Sequence, residues 1–235
     1  IHERLFFAPL LDTLAGAGPL TAEAVEARLT AFGFVDVART RAALQELTQG
    51  FTRRSRIMQQ LLPVILSWLS ATPDPDLGLL QLRRLAEGEV RSAELARNFR
   101  ESPRAAERTC RLLGSSRLLG DALRRQPDFV EALGEDEALA HEKSRDQLVE
   151  EALGNLTWRP SADERRVGLR RFKRREMLRI AARDVLGFAS IEETERELAG
   201  LADACVEAAL RSVGPSLPFA VIGLGRLGGG ELSYA

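Results

Sequence analysis

The chain reads as mainly α-helical, and three observations point that way. Segment after segment before Pro215 carries apolar residues at helical spacing. Several open on a Ser, Thr or Asp that can cap a helix or close on a Gly that can stop it, with short joints between. One stretch alone, Phe219 to Ile222, reads as a buried strand: an apolar run with Pro218 before it and glycines after it.

Taken in order, Ile1 to Leu14 reads as one helix or two short ones, broken by Gly16 to Pro19. Thr21 then caps a helix from Ala22 to Phe32, with Glu23 in its first turn, and Gly33 stops it. Asp36 caps the next, which runs to about Thr48 and ends at Gly50. Thr52 to Leu69 is strongly apolar, and Pro63 inside it predicts a kink or a break. Ala71 to Asp76 reads as a linker. Helices are expected over 77–88, 89–99, 103–113, 116–125 and 128–133, with Pro103 in a first-turn position. No repeat of fixed period runs through this array, so it is not read as a solenoid. Residues 136–158 are more polar and end in a joint at 155–160. Ser161 caps a long helix to about Leu186, with Glu164 completing a capping box and Gly187 ending it. Ser190 and Glu193 repeat the device for a helix from Ile191 to about Val213, closed by Pro215 and Pro218.

Composition narrows the functional classes. The 235 residues are 45% hydrophobic and 29% charged, an ordinary globular profile. A net charge of −1 supplies no global field toward nucleic acid or membrane. Arginine supplies nearly all the positive charge, the lysines being Lys143 and Lys173. Cys110 and Cys205 are far apart and in no metal or disulfide pattern, so both are expected as free thiols. No signal peptide or long apolar run is apparent, and a cytoplasmic location is expected. Ile1 and Ala235 both look like cuts in a longer protein.

The chemistry-bearing stretch is Phe219-Ala-Val-Ile-Gly-Leu-Gly-Arg-Leu-Gly-Gly-Gly-Glu-Leu-Ser-Tyr-Ala235. Gly223, Gly225, Gly228, Gly229 and Gly230 allow positive φ and bring bare backbone N–H groups close to a ligand. Such groups, with a helix start behind them, suit phosphate. One reading is the dinucleotide fingerprint Gly223-x-Gly225-x-x-Gly228, which makes the chain part of an NAD(P)-dependent oxidoreductase. Against it, a dinucleotide domain begins with its strand, whereas a long helical prelude stands before this one.

A second reading uses more of the phrase. Gly-x-Gly-Arg-x-Gly-Gly-Gly-Glu-Leu-x-Tyr resembles the glycine signature of nucleotidyltransferases related to DNA polymerase β, and within them the glutamine synthetase adenylyltransferase family. Leu169 to Gly187 looks like the helix that precedes the catalytic core in both halves of that family, and Leu201 to Leu210 like the helix after it. The N-terminal half of family members removes AMP from glutamine synthetase and the C-terminal half adds it. His2 to Leu11 resembles the chain that follows the first core, and Gly114 to Pro127 the segment leading into the adenylylating half.

The resemblance implies a fold class of mainly α: a helical domain leading into the first strand and glycine loop of a truncated α/β nucleotidyltransferase core. It implies three segments: 1–72 as a helical central or regulatory region, 77–158 as a helical array, and 161–235 as long helices plus the start of the core. It implies ATP as substrate, Mg2+, glutamine synthetase and a PII signalling protein as partners. Gly223, Gly225, Arg226, Gly228, Gly229 and Gly230 are the expected nucleotide-binding residues, with Arg226 against the β- and γ-phosphates. The family's metal-holding Ser-Asp-x-Asp follows this phrase at once, so the catalytic carboxylates are expected just past Ala235, and the chain alone is expected to be inactive. A non-catalytic helical module that couples two catalytic domains is the remaining alternative.

Other candidates are weaker. Asp74-Pro-Asp76 lies in a turn and is expected to cap rather than bind metal. His2 and His141 have no acidic or cysteine partners at useful spacing. Glu231 is expected as an early helix residue. On the long helix, Leu169, Lys173, Glu176, Ile180 and Asp184 fall within roughly 80° of one another. That face is either a surface Lys173–Glu176 pair or a polar junction against a catalytic domain. Arg170, Arg171, Arg174, Arg175, Arg179 and Arg183 are expected over the solvated remainder, and no aromatic ladder accompanies them.

Overall fold

A computed structural model describes residues 21–48, 53–214 and 217–234. The expected helix over 1–14 lies outside them. Thirteen helices and no strand form among the described residues. They divide at Asp136/Glu137 into two packed units.

The first unit holds α1 (Ala22–Ala31), α2 (Val37–Thr48), α3 (Arg53–Ser70), α4 (Pro75–Leu85), α5 (Glu89–Glu101), α6 (Pro103–Ser115), α7 (Arg117–Arg125) and α8 (Phe129–Ala132). The caps are where the sequence places them. Thr21 accepts from Ala24 N–H, Asp36 from Arg39 N–H and Ser102 from Ala105 N–H. Asp74 caps α4 through Leu77 N–H at 2.8 Å, and Asp76 accepts from Val35 N–H and the Thr40 hydroxyl, tying α2 to α4. Both carboxylates of the Asp-Pro-Asp turn are therefore engaged in backbone and hydroxyl bonds. α3 runs through Pro63 without a break. Pro63 is itself buried, with Leu62, Ile65, Leu66 and Leu69 around it in the core. Packing of that face outweighs the one backbone bond that proline forgoes.

α3 and α4 pack on α6, and the α4–α6 approach is close because both helices present glycine there. A Cβ on Gly78 would lie 3.1 Å from Gly114 Cα, and one on Gly114 would lie 2.1 Å from Thr72 Oγ1.

The second unit holds α9 (Glu137–Ala140), α10 (Arg145–Thr157), α11 (Ala162–Leu186), α12 (Ile191–Val213) and the short α13 (Gly225–Gly229). α10, α11 and α12 pack on one another around Leu148, Phe172, Ile180, Leu198, Leu201 and Ala204. α10 falls in the more polar end of the expected helical array, for which no helix bounds were given. Ser144 and Gln147 form a full capping box at its start. Its apolar residues, Leu148, Val149, Ala152 and Leu156, make one narrow buried face, diluted in sequence by charged neighbours. Capping boxes at Ser161/Glu164 and Ser190/Glu193 also form, and Gly187 and Gly214 end their helices in the left-handed conformation.

Candidate functional site

The glycine loop follows α12. Phe219 to Ile222 forms no strand and is exposed, which corrects the expectation of a buried strand. A strand needs a neighbour for its N–H and C=O groups, and no second strand stands among the described residues to supply one. The nucleotidyltransferase sheet is thus not seen here.

From Leu224 onward the loop has a definite shape. Gly225 to Gly229 make one helical turn, capped by Gly230. Positive φ occurs at Gly225 (59°) and Gly230 (73°), one at each end of the turn. Gly228 serves differently: a Cβ there would lie 2.5 Å from the carbonyl oxygen of Gly223, so Gly223 and Gly228 meet backbone to backbone. Gly229 has ordinary φ, and a Cβ there would meet only the Glu231 side chain at 3.7 Å. The turn's geometry accounts for three glycines by conformation or contact and leaves Gly229 with room for a side chain.

Arg226 is exposed, and its Nε donates to the carbonyl of Glu231 at 2.9 Å. This bond and Glu231 N–H to Arg226 O at 2.9 Å close the turn across Gly230. Glu231 lies past the helical turn and is exposed, not early in a helix as expected; Gly230 in the left-handed region ends the helix before it.

The chain then returns to the helices. Leu232 and Tyr234 pack against the α10–α11–α12 core, and Tyr234 Oη donates to Asp184 Oδ2 at 3.0 Å. Burial, with the Asp184 carboxylate beside it, pushes the phenol pKa up, so Tyr234 stays a donor.

Beneath this seat the second unit buries charge. Glu176, Arg179, Arg183 and Glu197 are all nearly inaccessible. Arg179 Nε donates to Glu176 Oε2 at 2.8 Å and its Nη2 donates to Glu197 Oε1. Lys143 places its Nζ 3.1 Å from Glu176 and its backbone N–H 2.9 Å from Glu197. Arg183 donates to the Leu139 carbonyl at 3.1 Å and lies 3.4 Å from Glu197 Oε2. Burial pushes the Glu176 pKa up, but the Arg179 bond and charge, then Lys143, outweigh it and the net shift is downward.

Two expectations change here. Glu176 pairs with Arg179, Lys143 and Arg175 rather than with Lys173 at the surface. Arg179 and Arg183 are buried, because α9, α10 and α12 pack over the C-terminal half of α11, whereas Arg170, Arg171, Arg174 and Arg175 are exposed. Cys110 and Cys205 are free, and burial raises both thiol pKa values. Among the described residues no group of three or more His, Cys, Asp and Glu side chains converges to hold a metal ion. Nor is any described helix long and apolar enough to cross a membrane.

Fold and loop together define a mainly helical protein that seats a glycine- and arginine-bearing turn on a three-helix core. The model of one family, glutamate-ammonia ligase adenylyltransferase, matches residues 106–235, and the chain belongs to that family. It is 38% identical over 250 residues to the bifunctional glutamine synthetase adenylyltransferase/adenylyl-removing enzyme of Leifsonia xyli subsp. xyli. It is 34% identical over 261 residues to that of Streptomyces avermitilis and 35% identical over 249 residues to that of Mycolicibacterium smegmatis. All of this chain is covered in each case, yet it spans only about a quarter of the length of these relatives (25%, 26% and 25%). The family match takes in 223–228, so the Gly-x-Gly-x-x-Gly spacing lies within the part of the chain that matches this family.

Proposed function

We propose that the intact protein transfers AMP from ATP to a tyrosine of glutamine synthetase, and in its other half removes it. This chain would supply the helical region and the triphosphate-holding loop of the adenylylating half. The observation that carries this reading is the turn at 225–230, bounded by positive-φ glycines and bearing Arg226, inside the family match. In the transfer, the tyrosine oxygen attacks the α-phosphorus of ATP, its proton leaves to a base, and the bond to the bridging oxygen breaks to release pyrophosphate. The turn's backbone N–H groups and the exposed Arg226 guanidinium would hold the β- and γ-phosphates and take up the charge that grows on the leaving group. Gly223, Gly225, Gly228, Gly229 and Gly230 would let those phosphates approach the backbone. Mg2+, control by a PII signalling protein and a cytoplasmic setting belong to the same proposal and rest on the family resemblance. By the same resemblance, metal-holding carboxylates would follow this glycine phrase in the intact protein.

The experiment incubates labelled ATP, magnesium and glutamine synthetase with residues 1–235 alone and with the intact protein. Label is expected on glutamine synthetase with the intact protein only. Label with residues 1–235 alone would overturn the placement of the catalytic carboxylates, and label with neither would overturn the assigned activity.

A further inference from the structure

From Leu217 to Glu231 the loop is mostly exposed, and its own hydrogen bonds stay within it: Gly228 N–H to Leu224 O, Glu231 N–H to Arg226 O and Arg226 Nε to Glu231 O. Contact with the helical core resumes at Leu232 and Tyr234. Tyr234 is the chain's single tyrosine. Its ring is half-buried against the core while its hydroxyl reaches Asp184, which sits in the last turn of α11. We infer that Tyr234 and Asp184 are the positioning pair of the glycine loop: through their 3.0 Å bond α11 sets where the loop's N–H groups and Arg226 stand. This rests on the phosphate-holding reading of the loop given above.

The physical case has three parts. A phenol half-withdrawn from water needs a partner for its O–H, and a carboxylate is a strong one. The acceptor stands in the last turn of α11, where its neighbour Arg183 is buried and bonded to the Leu139 carbonyl beside Glu197. Among the described residues the loop's own ties to the helical core are Leu232 and Tyr234, since Phe219 to Leu224 are exposed, and Gly225 and Gly230 are the residue type most free to move. Tyr234 lies only a few residues past Gly230, so a shift of the ring is passed to the turn. Tyr234 and Asp184 touch no nucleotide in this reading; they act by orienting groups that do.

The test uses the intact protein and the variants Tyr234→Phe, Asp184→Ala, the double variant, and Arg226→Ala as a reference. Tyr234→Phe keeps the ring and loses only the hydroxyl. Each single variant is expected to raise KM for ATP about tenfold, as loss of a charge-assisted bond would. The double variant should add nothing further, because one bond is lost in all three. Hydrogen exchange should quicken across 219–231 and stay unchanged in α10 and α12, which a general loss of stability would not reproduce. Unchanged exchange in the loop overturns the inference, as does wild-type KM in Tyr234→Phe while Arg226→Ala raises it. If Arg226→Ala leaves ATP use unchanged, the phosphate-holding reading fails instead, and loop exchange alone decides whether the pair positions the turn.

Discussion

Arg226 and Glu176 are both charged residues of the second unit, and their surroundings give them opposite tasks. Arg226 is exposed on a turn, with Nε holding the Glu231 carbonyl. Arg226→Ala should weaken ATP use by about 1.5–3 kcal/mol in kcat/KM, the range of a charge-assisted bond. An unchanged kcat/KM for ATP would remove Arg226 from the site. Glu176 is buried among Arg179, Lys143 and Arg175. Glu176→Gln leaves that positive cluster without its counter-charge and should cost about 3–5 kcal/mol at neutral pH, toward the low end because Gln keeps a carbonyl acceptor. Because the folded Glu176 pKa lies below its ordinary value of 4.5, its contribution is present above that value and is lost as pH falls through the folded one. Urea unfolding should therefore show the gap between wild type and Glu176→Gln at pH 7 and see it close in strong acid. A gap that persists in acid would show that Glu176 matters for packing and not for charge.

At the scale of elements, most helix ends were legible because capping is local. Thr21, Asp36, Ser102, Ser161 and Ser190 each bond an N–H three residues on, and that geometry depends on the sequence nearby. The bounds of α10 were illegible although its Ser144/Gln147 box is just as complete, because its apolar face is narrow and its burial is decided by α11 and α12. The α4–α6 approach was illegible for a similar reason: Gly114 falls between the helices expected over 103–113 and 116–125, yet Gly78 and Gly114 each lie inside a helix and let the other come near. Gly114→Ala would push a Cβ into the Thr72 side chain and should destabilise the first unit by about 1–3 kcal/mol, an overpacking cost that exceeds the propensity gain of alanine. Thermal unfolding of the purified chain checks this; a rise in Tm would show that the contact yields without strain.

Across the whole chain, circular dichroism should show a helix-dominated spectrum, since the described residues contain thirteen helices and no strand. A spectrum dominated by β-structure would overturn the architecture. The sequence by itself determined the helical class, most boundaries and the glycine-arginine phrase, because caps, stops and short motifs act over a few residues. It also carried the family resemblance, which the match over 106–235 bears out. Tertiary structure alone decided which charges are buried, that Phe219 to Ile222 lies exposed without a ladder, and that Tyr234 returns to Asp184 from fifty positions away. Arg179 and Arg174 carry the same charge on the same helix, yet one is sealed among carboxylates and the other faces water. That difference comes from which helices pack over α11, a long-range property that periodicity along one strand of sequence does not encode.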